Sequence, residues 1–158
     1  MARSLLLFVL CALPVLSSAW RKGNPFLIKG RVYCDTCRCG FETRKTTYIP
    51  GARVRIECRD RTSAELKYRS AGNVTDGSGT YHIVVEGDQE DRICHTVLVS
   101  SPLHDCKVAD PGRNRAQVIL TRSNGAVSDL HFANAMGFFK DKALPGCDKL
   151  LKELLQDV

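Results

Sequence analysis

The sequence predicts a small all-β domain, a disulfide-linked barrel or sandwich of about seven strands that ends in a short helix. Three observations support this fold class. Short runs of β-branched and apolar residues are separated by turn signals, seven cysteines follow the N-terminal segment, and helical periodicity appears only near the C-terminus. The length suits one domain with one core, and neither a repeat nor an interior linker divides it.

The clearest strand pattern lies in residues 51–58. Apolar Val54, Ile56 and Cys58 alternate there with charged residues, so the apolar side chains are expected to face the core. The charged set between them, expected to face solvent, is Arg53, Arg55 and Glu57. Further strands are predicted at residues 26–33, 64–68, 80–86, 93–100 and 116–121.

A short helix is predicted at the C-terminus. Pro145-Gly146 ends the preceding segment, and Asp148 is expected to cap the helix that follows. The apolar side of this helix consists of Leu150, Leu151, Leu154 and Leu155. That side suits either a membrane surface or partner, or the sheet itself. Because the segment is only about three turns long, we favour packing on the sheet, with Cys147 holding it down.

Residues 1–19 have the order of a secretory signal peptide. Arg3 gives a positive start, residues 5–16 form an apolar run, and Ser17 and Ala19 provide the small side chains of a cleavage site. This run is too short to span a bilayer, and no later stretch is long enough. The predicted mature domain is residues 20–158, secreted to the extracellular space or cell wall.

Seven cysteines remain in the mature chain, at positions 34, 37, 39, 58, 94, 106 and 147. They should pair in an oxidising compartment, and an odd number leaves one thiol over. Cysteine counting leaves the connectivity open. The C-x-x-C run could also be a metal knuckle or a redox pair. We favour structural disulfides because only three cysteines cluster there and an extended segment, not a helix, surrounds them.

Surface features point to binding rather than catalysis. The formal charge is +6, and a candidate basic face consists of Arg53, Arg55, Arg59 and Arg61. Such a face would attract acidic matrices or partners, but the charges are mixed along the chain, which favours the alternative of an ordinary solvated surface. Nucleic acid is disfavoured by secretion and by the lack of interleaved aromatic residues. Asn73-Val74-Thr75 is a sequon, which predicts a glycan on Asn73. No catalytic motif is present, so we expect neither an enzyme nor a cofactor.

One run of residues resembles the signature of a known family. The run 30–38 is similar to that of the Ole e I-like proteins, the olive major pollen allergen and its plant relatives. Its matching residues are Gly30, Val32, Tyr33, Cys34, Asp35, Thr36, Cys37 and Arg38. Similar segments recur at 50–58, 75–81, 120–125, 132–138 and 144–147, so the resemblance covers nearly the whole mature chain.

The resemblance implies a pairing of Cys34 with Cys106, Cys37 with Cys147, and Cys58 with Cys94. Cys39 departs from the family pattern and would be the free thiol, with exchange toward Cys37 an open alternative. The implied function is that of a secreted plant interaction protein in growth and development, such as pollen-tube growth, and a potential allergen. It would bind an extracellular protein such as a receptor kinase ectodomain, or a wall partner. The alternative is a wall component that binds acidic polysaccharide through the basic face.

Overall fold

A computed structural model describes residues 24–156, so the predicted signal peptide lies outside the described residues. The described part contains two β-sheets and one helix. Its elements are β1 (Phe26–Asp35), β2 (Thr47–Tyr48), β3 (Arg53–Asp60), β4 (Leu66–Arg69), β5 (Asn73–Val74), β6 (Thr80–Val85), β7 (Arg92–Ser100), β8 (Val108–Ala109), β9 (Arg115–Val118), β10 (Leu130–Phe132), β11 (Met136–Phe139) and α1 (Cys147–Gln156).

The predicted all-β class with a C-terminal helix is confirmed. Seven of the described strands have four residues or more, and they include every strand predicted from periodicity. The other four strands have two or three residues, which is too short for an alternating pattern to show in the sequence.

Strand β1 organises the first sheet. Its first half pairs with β6 and β10, and its second half pairs with β2 and β11, while β8 pairs with β11. The pairs with β10 and β11 are parallel and the others are antiparallel. Because β1 has neighbours on both edges, its pairings set the register of most of the sheet. Most of the signature run lies in this strand.

The second sheet has the order β4-β3-β7-β9, with β5 also pairing β3. All its pairs are antiparallel. Cys58 and Cys94 lie directly opposite each other in the β3–β7 ladder and form a disulfide there. The covalent link therefore fixes the register of the two longest strands of this sheet.

The core forms between the inner faces of the two sheets. Val54, Ile56 and Cys58 are fully buried, as the alternation in β3 predicts. The largest buried side chains of the same core are Tyr81, Phe26, Phe138, Ile28, Ile49, Ile83 and Met136. The hydrophobic effect on these side chains holds the sheets together.

In two places of the first sheet, a tyrosine ring packs over a glycine on the neighbouring strand. Gly30 lies opposite Tyr81 on β6, and a Cβ at Gly30 would lie 2.5 Å from Tyr81 Cζ. Gly137 lies opposite Tyr33 in the β1–β11 pair, and a Cβ there would lie 2.7 Å from Tyr33 Cζ. Each phenol ring thus packs over a backbone without a side chain, which explains the glycine in the signature run.

Helix α1 packs at a different place from the one predicted. Cys147 and Leu150 form a small cluster with Cys37, Cys39 and Leu144, on the turn after β1 rather than on a sheet. Asp148 lies in the first helical turn instead of at the cap, because the helix already begins at Cys147. The described helix is neither long nor apolar enough to cross a membrane. Its last leucines, Leu154 and Leu155, remain 40% and 72% exposed.

Candidate recognition surfaces

The signature turn, residues 34–40, is a structural feature whose first four residues are buried. Asp35 is 1% exposed, and its two carboxylate oxygens accept backbone hydrogen bonds from Cys37 at 3.1 Å and Gly40 at 2.7 Å. Arg38 between them has a φ of 56°, in the left-handed region that non-glycine residues seldom adopt. The carboxylate therefore stabilises a tight turn that would otherwise be unfavourable.

The same turn is bonded to two other segments of the chain, the loop before β2 and the segment between β11 and α1. Thr36 donates its hydroxyl to the Lys45 carbonyl at 2.7 Å and accepts the Leu144 amide at its own carbonyl at 2.9 Å. Arg38 donates to the Lys140 carbonyl at 2.6 Å. Because these polar groups are occupied within the protein, the signature turn holds the fold and offers little to a ligand.

Three disulfides lie in the described chain, and they are the pairs that the resemblance implies. Cys34 is joined to Cys106, Cys37 to Cys147, and Cys58 to Cys94. The bridges span 72, 110 and 36 residues, and all six cysteines are buried. The longest of them joins the signature turn to α1.

Cys39 is the free cysteine among the described residues. Its sulfur lies 3.4 Å from the Phe41 carbonyl and 3.7 Å from an Asp35 carboxylate oxygen. Burial, followed by the negative charge of Asp35, raises the pKa of the thiol. Because the thiolate is the reactive form, this environment favours an inert thiol over a redox centre. No group of three metal-binding side chains occurs in the described part of the chain.

The outer surface of the second sheet carries most of the clustered positive charge. We define the arginine face as Arg53, Arg55, Arg59, Arg69 and Arg115. The first three lie on the outer side of β3. Arg69 of β4 lies opposite Glu57 of β3, and Arg115 of β9 lies opposite Val97 of β7, which itself lies opposite Arg55. Sequence reasoning missed Arg69 and Arg115, since only the strand pairing places them beside β3.

Glu57 lies in the middle of the arginine face. One of its carboxylate oxygens is 2.8 Å from Arg55 and 3.4 Å from Arg69, and the other is 3.6 Å from Arg59. Its side chain is only 11% exposed. The residue does lie on the outer side of β3, but the guanidinium groups cover it.

Arg61 is not part of this face. Strand β3 ends at Asp60, and Arg61 follows in the next turn, where it donates to the Glu90 carbonyl at 3.4 Å. The predicted basic face is therefore corrected. It keeps Arg53, Arg55 and Arg59, and it spreads sideways over the sheet instead of along the chain.

A histidine and two aliphatic residues complete the arginine face. His95 lies opposite Glu57 in the ladder, and burial together with Arg115 and Arg59 lowers its pKa. On the same side, Ile93 is 37% exposed and Val97 is partly buried. A surface of arginines and aliphatic side chains has the composition typical of protein–protein interfaces.

The predicted glycan site combines an exposed acceptor with a buried hydroxyl. Asn73 is exposed in β5, and its side-chain amide donates to the His82 carbonyl at 2.9 Å. Thr75 is 4% exposed; its hydroxyl donates to the Ile49 carbonyl at 2.5 Å and accepts the Ala52 amide at 2.9 Å. Glycosylation of Asn73 stays a prediction.

Comparison with known proteins gives the family. A sequence model described as "Pollen protein Ole e 1 like" matches residues 24–155. The chain belongs to the Ole e 1-like pollen protein family. It is 55% identical to Protein DOWNSTREAM OF FLC of Arabidopsis thaliana, over 96% of this chain and 92% of that one. It is 46% identical to the pollen-specific protein C13 of Zea mays, over 94% and 89% of the two chains.

The fold of this Ole e 1-like protein is also that of a solved pollen allergen. The crystal structure of the major plantain pollen allergen Pla l 1 superposes with a TM-score of 0.70 at 26% identity, covering 78% of this chain and 99% of that one. Relatives are named as pollen proteins and pollen allergens. Family and disulfides together indicate an extracellular protein.

Proposed function

We propose that this protein is a secreted recognition protein in plant growth and development, such as pollen-tube growth, and that the arginine face binds an acidic extracellular protein. A receptor kinase ectodomain is the kind of partner that fits. The observation that carries the proposal is the excess of exposed positive charge on one sheet surface. The buried Glu57 contacts three of the five arginines, and no other carboxylate in the described chain forms an ion pair with the face.

The charge balance leaves attraction for a partner. Arg53 and Arg115 form no ion pair among the described residues, and both are exposed. Arg59 and Arg69 keep side-chain exposures of 46% and 51% although they contact Glu57. Guanidinium groups can form two parallel hydrogen bonds with a carboxylate, so each can still bind acidic groups of a partner.

The surface is rigid as well as charged. The Cys58–Cys94 bridge lies within the sheet that carries the face, and Glu57 fixes the position of the surrounding guanidinium groups. Binding therefore requires little ordering of loops, which lowers the entropic cost of association. Long-range attraction between charged faces also increases the association rate.

A protein partner suits this surface better than the alternative of an acidic polysaccharide on the same face. The arginines lie beside the aliphatic Ile93 and Val97 on the outer surface of the second sheet. Apolar groups next to arginine are typical of protein interfaces. Polysaccharide binding at this face remains the competing outcome of the experiment below.

The experiment uses the mature protein as secreted by a plant host, cross-linked in plant extracellular fluid and recovered for mass spectrometry. The test variant is Arg53→Glu/Arg115→Glu. A matched control, Lys149→Glu/Lys152→Glu, changes net charge equally at two exposed positions of α1. We expect one defined set of proteins with the wild type and the control, reduced about tenfold with the test variant, a change of roughly 1.4 kcal/mol.

Two results would contradict the proposal. Equal losses with the test variant and the α1 control would show attraction by net charge alone. Recovery mainly of acidic polysaccharide, removed by a polysaccharide-digesting enzyme and sensitive to Arg53→Glu/Arg115→Glu, would assign the face to the wall. Binding of a purified ectodomain from the captured set should weaken with added salt, since exposed charges are screened.

A further inference from the structure

A groove of about 280 Å³ lies on the outer surface of the first sheet, and we call it the aromatic groove. Its main residues are Lys29, Arg31, Glu42, Tyr48, Phe132 and Ala133. The volume is just below the range of about 300–1,000 Å³ usual for small-molecule pockets, so it suits a short segment of a ligand.

One side of the groove is an ordered cation–aromatic pair. The Arg31 guanidinium lies 3.3 Å from the centre of the Tyr48 ring, and the Tyr48 hydroxyl donates to Glu42 at 2.7 Å. The three side chains therefore form a connected chain in which each holds the next. Arg31 is exposed, so its N–H groups remain accessible from solvent.

The other side is an exposed aromatic ring beside a lysine. Phe132 pairs with Lys29 in the parallel β1–β10 register, and Phe132 is 72% exposed. A phenyl ring left this open contributes little to the core, and its face is available for stacking. Gly30 and Ala133 also line the groove, and their small size leaves space between the larger side chains.

We propose that the aromatic groove binds an acidic oligosaccharide built from uronic acid units. The C–H face of a pyranose ring would pack on Phe132, because the negative face of an aromatic ring attracts weakly positive hydrogens. Lys29 and Arg31 would pair with the uronate carboxylate, and Glu42 would accept a sugar hydroxyl. This proposal does not depend on the arginine face, which lies on the other sheet.

The mixture of groups favours this ligand over other anions. A phosphate or sulfate needs cations and amides but no stacking ring, whereas an apolar ligand would not need Lys29, Arg31 and Glu42. A uronate sugar uses all of them at once: a flat apolar face, one negative charge per unit, and hydroxyl groups. The small volume fits recognition of one part of a longer chain.

The test is a calorimetric titration of the full mature protein with an oligogalacturonide of defined length. The fully methyl-esterified oligomer of the same length is the matched ligand, since it keeps the rings and loses the charge. Phe132→Ala is the main variant. Val127→Ala, at a loop residue that is 96% exposed, is its control, and Phe132→Tyr should restore binding because it restores a ring.

We expect the acidic oligomer to bind, and the methyl ester and the Phe132→Ala variant each to weaken binding about tenfold, equal to roughly 1.4 kcal/mol. Val127→Ala and Arg53→Ala/Arg115→Ala should leave the affinity within about twofold. Each of the following would overturn the site: no binding of the acidic oligomer, equal binding of the ester, no effect of Phe132→Ala, or a larger loss from Arg53→Ala/Arg115→Ala. The last result would transfer sugar binding to the arginine face.

Discussion

The signature turn and the arginine face illustrate two different uses of polar residues. In the turn, the Asp35 carboxylate is buried and both of its oxygens accept backbone hydrogen bonds. On the face, a single carboxylate, Glu57, is shared among three partly exposed arginines. The signature turn therefore holds the fold, while the arginine face comes from residues outside the signature.

The largest expected effect is a loss of stability at the signature turn that leaves binding by the arginine face unchanged. Replacing both Cys37 and Cys147 by alanine removes the bridge of 110-residue span and should lower the free energy of unfolding by about 2–5 kcal/mol. Urea unfolding measures the loss. Partner binding by the folded fraction should be unchanged, because the arginine face lies on the other sheet. Loss of binding at full folding would show that the two regions are coupled.

A glycine of the signature run gives the next effect. Gly30→Ala forces a Cβ against the Tyr81 ring and should destabilise the protein by about 1–3 kcal/mol. Gly77→Ala is the matched control, since nothing lies within 4 Å of a Cβ at Gly77. Thermal unfolding of both variants measures the difference. Equal midpoints would mean that the tyrosine can move away and that the pair does not constrain the sheet.

On the arginine face, Glu57→Gln should lower stability only slightly and strengthen partner binding. Loss of the shared charge removes three ion pairs that are partly screened by solvent, so we expect a cost of only about 1 kcal/mol. The released arginines should bind an acidic partner more tightly, as measured by salt-dependent affinity. Glu65→Gln, in an exposed pair with Lys67, serves as the control. Weaker partner binding by Glu57→Gln would show that Glu57 positions the arginines more than it competes for them.

The smallest effect concerns pH. Burial and the nearby arginines lower the pKa of His95, so the unfolded chain takes up its proton more readily than the folded one. Stability contributed by neutral His95 should therefore decrease as the pH falls below about 6.5 and until the folded group is itself protonated. His95→Gln should flatten urea-unfolding stability between pH 7 and 5, whereas His82→Gln, at an exposed position, should not. An unchanged slope in His95→Gln would contradict this environment.

Local patterns in the sequence predict the strands but not the surfaces. Alternation alone identifies β3, because Val54, Ile56 and Cys58 repeat with the period of a strand. The burial of Glu57 could not be foreseen, since it depends on Arg69 arriving from β4. Tyr48 and Phe132 reach one groove through separate pairings with β1, a relation that no local pattern contains. The Cys37–Cys147 bridge holds α1 on the turn after β1, where Leu150 of its apolar side is buried, and the amphipathic pattern alone does not reveal that place.

The buried Thr75 hydroxyl has a consequence for biosynthesis. A sequon is recognised through the hydroxyl at its third position as well as through its asparagine. In the folded protein that hydroxyl is hydrogen-bonded to the backbone of Ile49 and Ala52. A glycosylating enzyme that acts on the folded protein would therefore reach Asn73 but not the Thr75 hydroxyl. Glycosylation of Asn73 is a prediction, and we expect any such sugar transfer to precede folding of this segment.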